Sequence, residues 1–173
     1  MRLFFYRHAE VIVIEIKIVK IGVPKSCNLV IGQAHFIKTV EDLYETLAEA
    51  IPDAKFGLAF CESSGPCLVR SSGNDAQLKA AAEKAGMLLS AGHCFVVILR
   101  GAYPVSVLNR IKSVSEVCNI YCATANPVEI IIVETEQGRG ILGVIDGFKS
   151  RGVETEKDVQ DRKALLRKIG YKL

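Results

Sequence analysis

The chain has 173 residues, of which 50% are hydrophobic and only 7% aromatic, and it contains no tryptophan. A chain of this length forms one domain, or two small ones, and buries a core without disulfides. Its net charge of +3 excludes the strongly basic surface of a dedicated nucleic-acid-binding domain. No apolar run reaches the roughly 18 residues that span a membrane. The aliphatic composition favours a sheet-based core, and we expect neither nucleic acid nor membrane as a partner.

Six cysteines are spread along the chain, at positions 27, 61, 67, 94, 118 and 122. The N-terminal segment is interrupted by Arg7, His8 and Glu10 and therefore lacks the apolar stretch of a secretion signal. These features predict a cytoplasmic protein with free, mostly buried thiols. Cys118 and Cys122 are four residues apart on a predicted strand, with no histidine near them, so we expect no metal site.

The predicted elements alternate between strands and helices along the whole chain. Isoleucines recur with period two over residues 11–20, which predicts the first strand. Helices are predicted where apolar residues recur at helical spacing and a proline or glycine ends the run. In chain order the remaining pattern predicts a strand over 28–34, a helix over 39–51, strands over 55–62 and 67–70, a helix over 75–89, a strand over 94–99, a helix over 104–112, strands over 117–124, 128–135 and 141–145, and a helix over 155–169.

Three of these helices begin with a residue suited to capping. Thr39 and Thr155 each precede an aspartate by three residues, as in a capping box, and Asn74 is placed to cap the helix over 75–89. The alternation as a whole predicts an α/β fold, in the form of a compact three-layer α/β/α domain with a mixed β-sheet.

Two histidines are candidates for chemistry. His35 lies between a strand end and the helix that starts near Thr39, the place where α/β sheets bind ligands and where helix N–H groups face a phosphate. A neutral imidazole there is a competent phosphoryl acceptor, although a plain hydrogen-bonding loop histidine fits the position as well. His93 opens a buried strand, where a structural histidine is the simplest interpretation.

A glycine-rich stretch follows the strand over 128–135. Gly138, Gly140 and Gly143 have the spacing of a dinucleotide-binding loop, but the residues after them predict a strand rather than the required helix. Glycines beside Arg139 let backbone approach an anionic ligand, and they equally permit tight strand packing. Further polar candidates lie near predicted strand ends or buried segments, namely Glu62, Asn109 and Asn126.

The N-terminal residues Arg7 and His8 follow a short apolar run. This arrangement resembles the opening of the histidine phosphatase superfamily, in which the histidine accepts the phosphoryl group. The likeness covers about eight residues, and Ala9 stands where that family has glycine, so a phosphatase-like hydrolase is the weakest of the functional hypotheses.

A longer set of motifs resembles the adenosine-specific kinase family, a group of small and largely archaeal proteins. The motifs are GQAHF (32–36), AFCESSG (59–65), AGH (91–93), ATANPVE (123–129) and ETEQGRGILGVIDGF (134–148). The likeness covers residues 13–173 as a single domain and leaves 1–12 as an extension. One departure is Tyr-Pro-Val-Ser at 103–106, where the family has Phe-Pro-Ile-Asn.

The resemblance implies a homo-oligomeric protein, with a trimer as our expectation, that binds adenosine or AMP and transfers a phosphoryl group from ATP, with Mg²⁺ as the accompanying ion. The GQAHF and AGH motifs make His35 the first candidate for the phosphoryl acceptor and His93 the second, an order set by the strand-end position of His35 and not by the resemblance. Gly138, Arg139 and Gly140 become candidates for phosphate binding, and Glu62, Asn109 and Asn126 for nucleoside or metal contacts. A non-catalytic AMP-binding sensor is the alternative function.

Overall fold

The computed structural model describes residues 14–173. The predicted extension (1–12), and with it Arg7 and His8, lies outside these residues. The elements confirm the predicted alternation. In chain order they are β1 (Glu15–Ile21), β2 (Cys27–Ala34), α1 (Thr39–Ala50), β3 (Lys55–Cys61), β4 (Val69–Gly73), α2 (Ala76–Leu89), β5 (Cys94–Arg100), a 3₁₀ turn (Pro104–Ser106), α3 (Leu108–Lys112), β6 (Val117–Thr124), β7 (Val128–Glu134), β8 (Arg139–Asp146) and α4 (Glu156–Lys168).

The α/β class is confirmed, and the strands within it form two antiparallel sheets rather than one mixed sheet. The larger sheet has the order β4-β3-β5-β2-β6, and the smaller has the order β1-β7-β8. Strands β2 and β3, which α1 connects, run in the same direction as in a βαβ unit. However, β5 inserts between them and pairs antiparallel with both, which replaces the parallel contact.

The five-stranded sheet lies at the centre and carries a hydrophobic core on each face. Helices α1 and α3 cover one face, where the buried side chains include those of Leu43, Leu47, Phe56, Phe95 and Ile111. Helix α2 and the three-stranded sheet cover the other face, with buried side chains that include those of Leu29, Leu78, Ala82, Ile98 and Ile130. Because both faces are buried, β2, β3 and β5 are almost continuously apolar.

The close packing of α2 on β3 depends on Gly57. A Cβ atom at this position would lie 2.1 Å from the carbonyl carbon of Leu78 and 2.2 Å from the amide nitrogen of Lys79. Only glycine therefore lets the helix backbone approach the strand this closely.

Strand β1 directs its isoleucine face away from the core. The side chains of Ile16 and Ile18 are 62% and 60% exposed, whereas Val19 and Ile21 pack into the core. The period-two pattern thus predicts the strand correctly, but the most apolar face of that strand is the one exposed to solvent.

Helix capping agrees with the sequence at one of three starts. Thr155 and Asp158 form the predicted capping box of α4. The N-cap of α2 is Asp75 instead of Asn74, because the Asn74 side chain bonds to the backbone of Phe56 and Ala54. Thr39 is the first residue of α1 rather than its cap, and its hydroxyl donates to the carbonyl of Phe36.

Of the helices in residues 14–173, none combines the length and the apolar character needed to cross a lipid bilayer.

Candidate functional site

The two candidate histidines lie on neighbouring strand ends at one end of the five-stranded sheet. In an antiparallel sheet, the end of one strand lies beside the start of its neighbour, so the end of β2 meets the start of β5. The amide of Ala34 donates to the carbonyl of His93 at 2.9 Å, and the amide of His35 donates to the carbonyl of Glu116 at 3.0 Å. Residues nearly 60 positions apart in the chain are thereby brought together.

A cavity of about 610 Å³ opens at the same end of the sheet, a size in the range of small-molecule sites. It lies between the end of β3, the last turn of α2 and the β7–β8 hairpin. Its lining includes four residues that the sequence singles out, Glu62, Gly138, Arg139 and Gly140, together with Gly92, the neighbour of His93.

His93 has a strained backbone and an ordered side chain. Its φ angle is +62°, in the left-handed region that non-glycine residues seldom adopt. Its amide donates to the carbonyl of Cys61 at 2.7 Å. The imidazole stacks on the ring of Phe60, with centroids 5.8 Å apart and an interplanar angle of 19°. Strain of this kind persists where the surroundings enforce it, and it is concentrated at functional sites.

His35 occupies a more open position, in the bend that precedes α1, where it is exposed. Near it, Lys38 forms ion pairs with Asp42 and with the buried carboxylate of Glu116, the latter at 2.7 Å. The hydrogen bond to Asp42, and to a lesser extent the one to Glu116, raises the pKa of Lys38. Lys38 therefore stays protonated, and its charge is already paired with two carboxylates.

Glu62 is held at the cavity wall by β4. Its carboxylate accepts hydrogen bonds from the Arg70 guanidinium at 3.2 and 3.3 Å and from the amide of Leu68 at 3.1 Å. Arg70 is a polar residue of the site region that the sequence analysis did not single out. A strand arginine that follows Leu-Val gives no local signal beyond strand alternation.

Arg139 is engaged by other protein groups. Its guanidinium pairs with Glu134 at 3.1 Å and reaches the carbonyl of Leu88 at 3.4 Å. The hydrogen bond from Lys17, and to a lesser extent the one from Arg139, lowers the pKa of Glu134. The arginine predicted to bind phosphate therefore also links the β7–β8 hairpin to the end of α2.

Packing does not explain the glycine at position 138. A Cβ atom there would find nothing within 4 Å, and the backbone does not need a positive φ angle. Since Gly138 lines the cavity, the space beside it is available to a ligand.

We expect Gly138→Ala to weaken binding of AMP, the ligand that the sequence motifs imply, about 10-fold, because a methyl group at the cavity wall removes contact between ligand and backbone. The free energy of unfolding should stay the same or rise slightly, as the alanine restricts the unfolded chain. Isothermal titration calorimetry and urea unfolding measure the two effects. Gly143→Ala, which also adds a methyl group in open space but outside the cavity lining, is the control. Unchanged affinity in Gly138→Ala would remove Gly138 from the site.

Asn109 and Asn126 lie away from this cavity. Asn126 follows β6 at the opposite end of the sheet, where its amide group donates to Asp146 at 3.1 Å. Asn109 is exposed on α3, in a groove that α3 shares with α1. The structure therefore brings Glu62 and the glycine hairpin together in the cavity lining, with Gly92 but not His93 among the lining residues, and leaves these two asparagines elsewhere.

Burial disfavours thiol chemistry at the cavity. Cys61 lines it, but burial raises the pKa of this thiol to about 11, so it is a poor nucleophile near neutral pH. Within residues 14–173, no group of three or more His, Cys, Asp or Glu side chains is placed to hold a metal ion.

Comparisons with known proteins agree with the motifs. The family model described as "Adenosine specific kinase" matches residues 19–172. The solved structure of the PH1918 protein from Pyrococcus horikoshii OT3 is similar, with 42% sequence identity, a TM-score of 0.89 and coverage of 93% of this chain and 99% of that protein. None of the curated proteins compared with the chain matches it. The family model spans nearly all of the described residues, and the chain belongs to the adenosine-specific kinase family.

Proposed function

We propose that the protein transfers a phosphoryl group from ATP to adenosine through a phosphohistidine intermediate at His93. Family membership supports a nucleoside kinase-like function at the level of reaction class. The observation that carries the finer proposal is the position of His93, a strained and half-buried histidine beside a cavity of nucleoside size.

The cavity lining suits a nucleoside held without aromatic stacking. Its apolar part includes the side chains of Leu68, Val69, Met87 and Val133, which offer aliphatic contacts to a purine. The backbone of the β7–β8 hairpin and the Glu62 carboxylate add hydrogen-bonding groups. Such a combination of an apolar wall with a few polar groups is typical of small-molecule sites.

The reaction proceeds in two steps, transfer of the phosphoryl group to His93 and transfer from His93 to adenosine. An unprotonated imidazole nitrogen of His93 attacks the γ-phosphorus of ATP, forming a P–N bond while the bond to the ADP oxygen breaks and its electron pair leaves with ADP. A hydroxyl oxygen of adenosine then attacks the same phosphorus. The P–N bond breaks, its electron pair returns to the imidazole, and the hydroxyl proton passes to solvent. The products are ADP and AMP.

Two observations favour His93 over His35, which the sequence alone ranks first. His93 adjoins the cavity-lining Gly92, and its imidazole is oriented by the Phe60 ring, so the ring is already fixed before reaction. His35 is exposed and has no comparable restraint.

We propose that Mg²⁺ arrives with the nucleotide. Magnesium is commonly held by substrate phosphates together with one or two carboxylates, and Glu62 is the carboxylate among the cavity-lining residues. When bound, the ion would neutralise charge on the phosphates.

The direct test is to incubate the protein with γ-labelled ATP, Mg²⁺ and adenosine. The proposal predicts an acid-labile label on the protein that adenosine discharges as labelled AMP. Binding of AMP without labelling or turnover across a panel of nucleosides would contradict the proposal and establish the sensor function instead.

We also propose that the protein forms a homo-oligomer through the outer face of its three-stranded sheet, defined by Ile14, Ile16, Ile18, Leu142 and Ile145. Each of these side chains is at least 44% exposed, and a contiguous apolar patch of this kind marks an interaction surface. A second copy of the chain is the occupant that the family resemblance implies.

Ile16→Lys is expected to reduce the mass in solution to that of a monomer, because a buried, unpaired ammonium would disfavour the interface. Sedimentation velocity measures the mass. Val153→Lys, at a position that is 95% exposed and outside this face, is the control and should leave the mass unchanged. A monomeric wild-type protein at micromolar concentration would contradict the proposal.

A further inference from the structure

Arg70 carries a hydrogen-bond donor that the described part of the chain leaves unused. Its guanidinium pairs with Glu62 through one terminal nitrogen, while its Nε–H is buried and has no partner. A buried donor without a partner is costly, and its presence next to a cavity-lining residue points to a ligand acceptor at this position.

The sheet register places Arg70 on the same face as the histidine. Arg70 pairs with Phe60 across β4 and β3, and side chains directly opposite in a sheet share a face. The ring of Phe60 in turn stacks with the imidazole of His93. Phe60 thus separates the Arg70 guanidinium from the His93 imidazole. The backbones of β4, which carries Arg70, and of β5, which begins directly after His93, are two strand spacings apart, roughly 10 Å.

The chemistry of the unused donor matches an anion. A guanidinium presents its N–H groups in a planar fork that binds phosphate oxygens in pairs. The Arg70 side chain is 37% exposed and is not itself part of the cavity lining, so a ligand in the cavity would reach the guanidinium by extending past Glu62. Arg139, by comparison, already has a carboxylate and a carbonyl as partners.

We infer that Arg70 binds the phosphate of the nucleotide at the His93 end of the site, with its Nε–H and a neighbouring Nη–H donating to phosphate oxygens. This inference rests on the proposed function, since it assigns the phosphate position within the same site. Glu62 would then hold the guanidinium in place while the ligand is bound.

The test compares two ligands that differ only by the phosphate. Affinities for AMP and for adenosine are measured by isothermal titration calorimetry on the wild type, Arg70→Gln and Arg70→Lys. We expect Arg70→Gln to weaken AMP binding by about 10- to 100-fold, the effect of losing hydrogen bonds to a charged group, and to leave adenosine binding unchanged. Arg70→Lys keeps the charge beside Glu62 but loses the fork, so it should also weaken AMP binding.

Arg100→Gln is the matched control. Arg100 is a strand residue with a side-chain exposure of 38%, close to that of Arg70, and it pairs with Asp75 at the end of β5 away from His93. This variant should bind both ligands like the wild type. Should Arg70→Gln fail to fold, Arg70→Lys decides the question alone.

The outcomes distinguish a failure of the role of Arg70 from a failure of the proposed function. Equal losses for AMP and adenosine, or AMP binding that persists at wild-type strength in both Arg70 variants, would overturn the role of Arg70 and leave the proposed function standing. A wild-type protein that binds neither ligand would overturn both.

Discussion

His93→Asn is expected to abolish labelling of the protein by ATP and to reduce adenosine phosphorylation by more than about 1,000-fold, because the nucleophile of the first step is lost. The loss should appear in the rate rather than in binding, since the cavity lining stays intact. Stopped-time labelling followed by acid treatment measures the intermediate, and steady-state formation of AMP measures the overall reaction.

Asparagine is the informative replacement because of the backbone at this position. His93 has a φ angle of +62°, and asparagine tolerates the left-handed region better than most residues. The variant should therefore keep its fold, which circular dichroism checks. His35→Asn is the control and should retain the label. Loss of the label in His35→Asn alone would transfer the acceptor role to His35, and label in both variants would refute a phosphohistidine at either residue.

Gly57→Ala is expected to lower the free energy of unfolding by about 3 kcal/mol, at the upper end of what overpacking costs. The added Cβ would lie 2.1 Å from the backbone of α2 at Leu78, so the helix must move away from β3. Backbone atoms cannot rotate out of the way as a flexible side chain can. Urea unfolding at equilibrium measures the change.

Gly22→Ala is the matched control for this stability effect. A Cβ atom at Gly22 would find nothing within 4 Å, so the free energy of unfolding should change by less than about 1 kcal/mol. If Gly57→Ala were as stable as the wild type, the close approach of α2 to β3 would not be a constraint on the fold.

Local patterns in the sequence predicted the elements well because each pattern has a local cause. The capping box at Thr155 and Asp158 involves residues three apart and forms as predicted. The same logic was wrong at Asn74, whose side chain bonds to the backbone of Phe56, 18 residues away in the chain. A cap can be predicted only where no distant acceptor or donor competes for the side chain.

Strand pairing could not be predicted in the same way. The apolar run of β5 is compatible with any central position, and only the completed sheet shows that it separates β2 from β3. The outward direction of Ile16 and Ile18 is likewise set by which face of β1 meets the core. Alternation alone indicates that the two faces differ and leaves open which of them is buried.

For the candidate site, local motifs indicated some of the cavity residues, whereas a residue that depends on strand register was missed. Glu62 and the hairpin of Gly138 and Arg139 share a cavity as the motifs suggested. The guanidinium of Arg70, by contrast, is relevant only through the register that places it opposite Phe60. Register is a property of the paired strands, and one strand read by itself does not contain it.

The antiparallel order of the large sheet also governs how binding is coupled to folding. The groups around the cavity come from strand ends, a helix end and a hairpin that lie up to about 80 residues apart in the chain, such as Glu62 and Gly138, and they converge only when the two sheets and α2 have packed together. Such non-local packing forms slowly, and the lining is complete only when residues 133–140 join those of the segment 61–92. Occupancy of the cavity is therefore linked to the folded population, and ligand at 100 times its dissociation constant would add about 2.7 kcal/mol of stability.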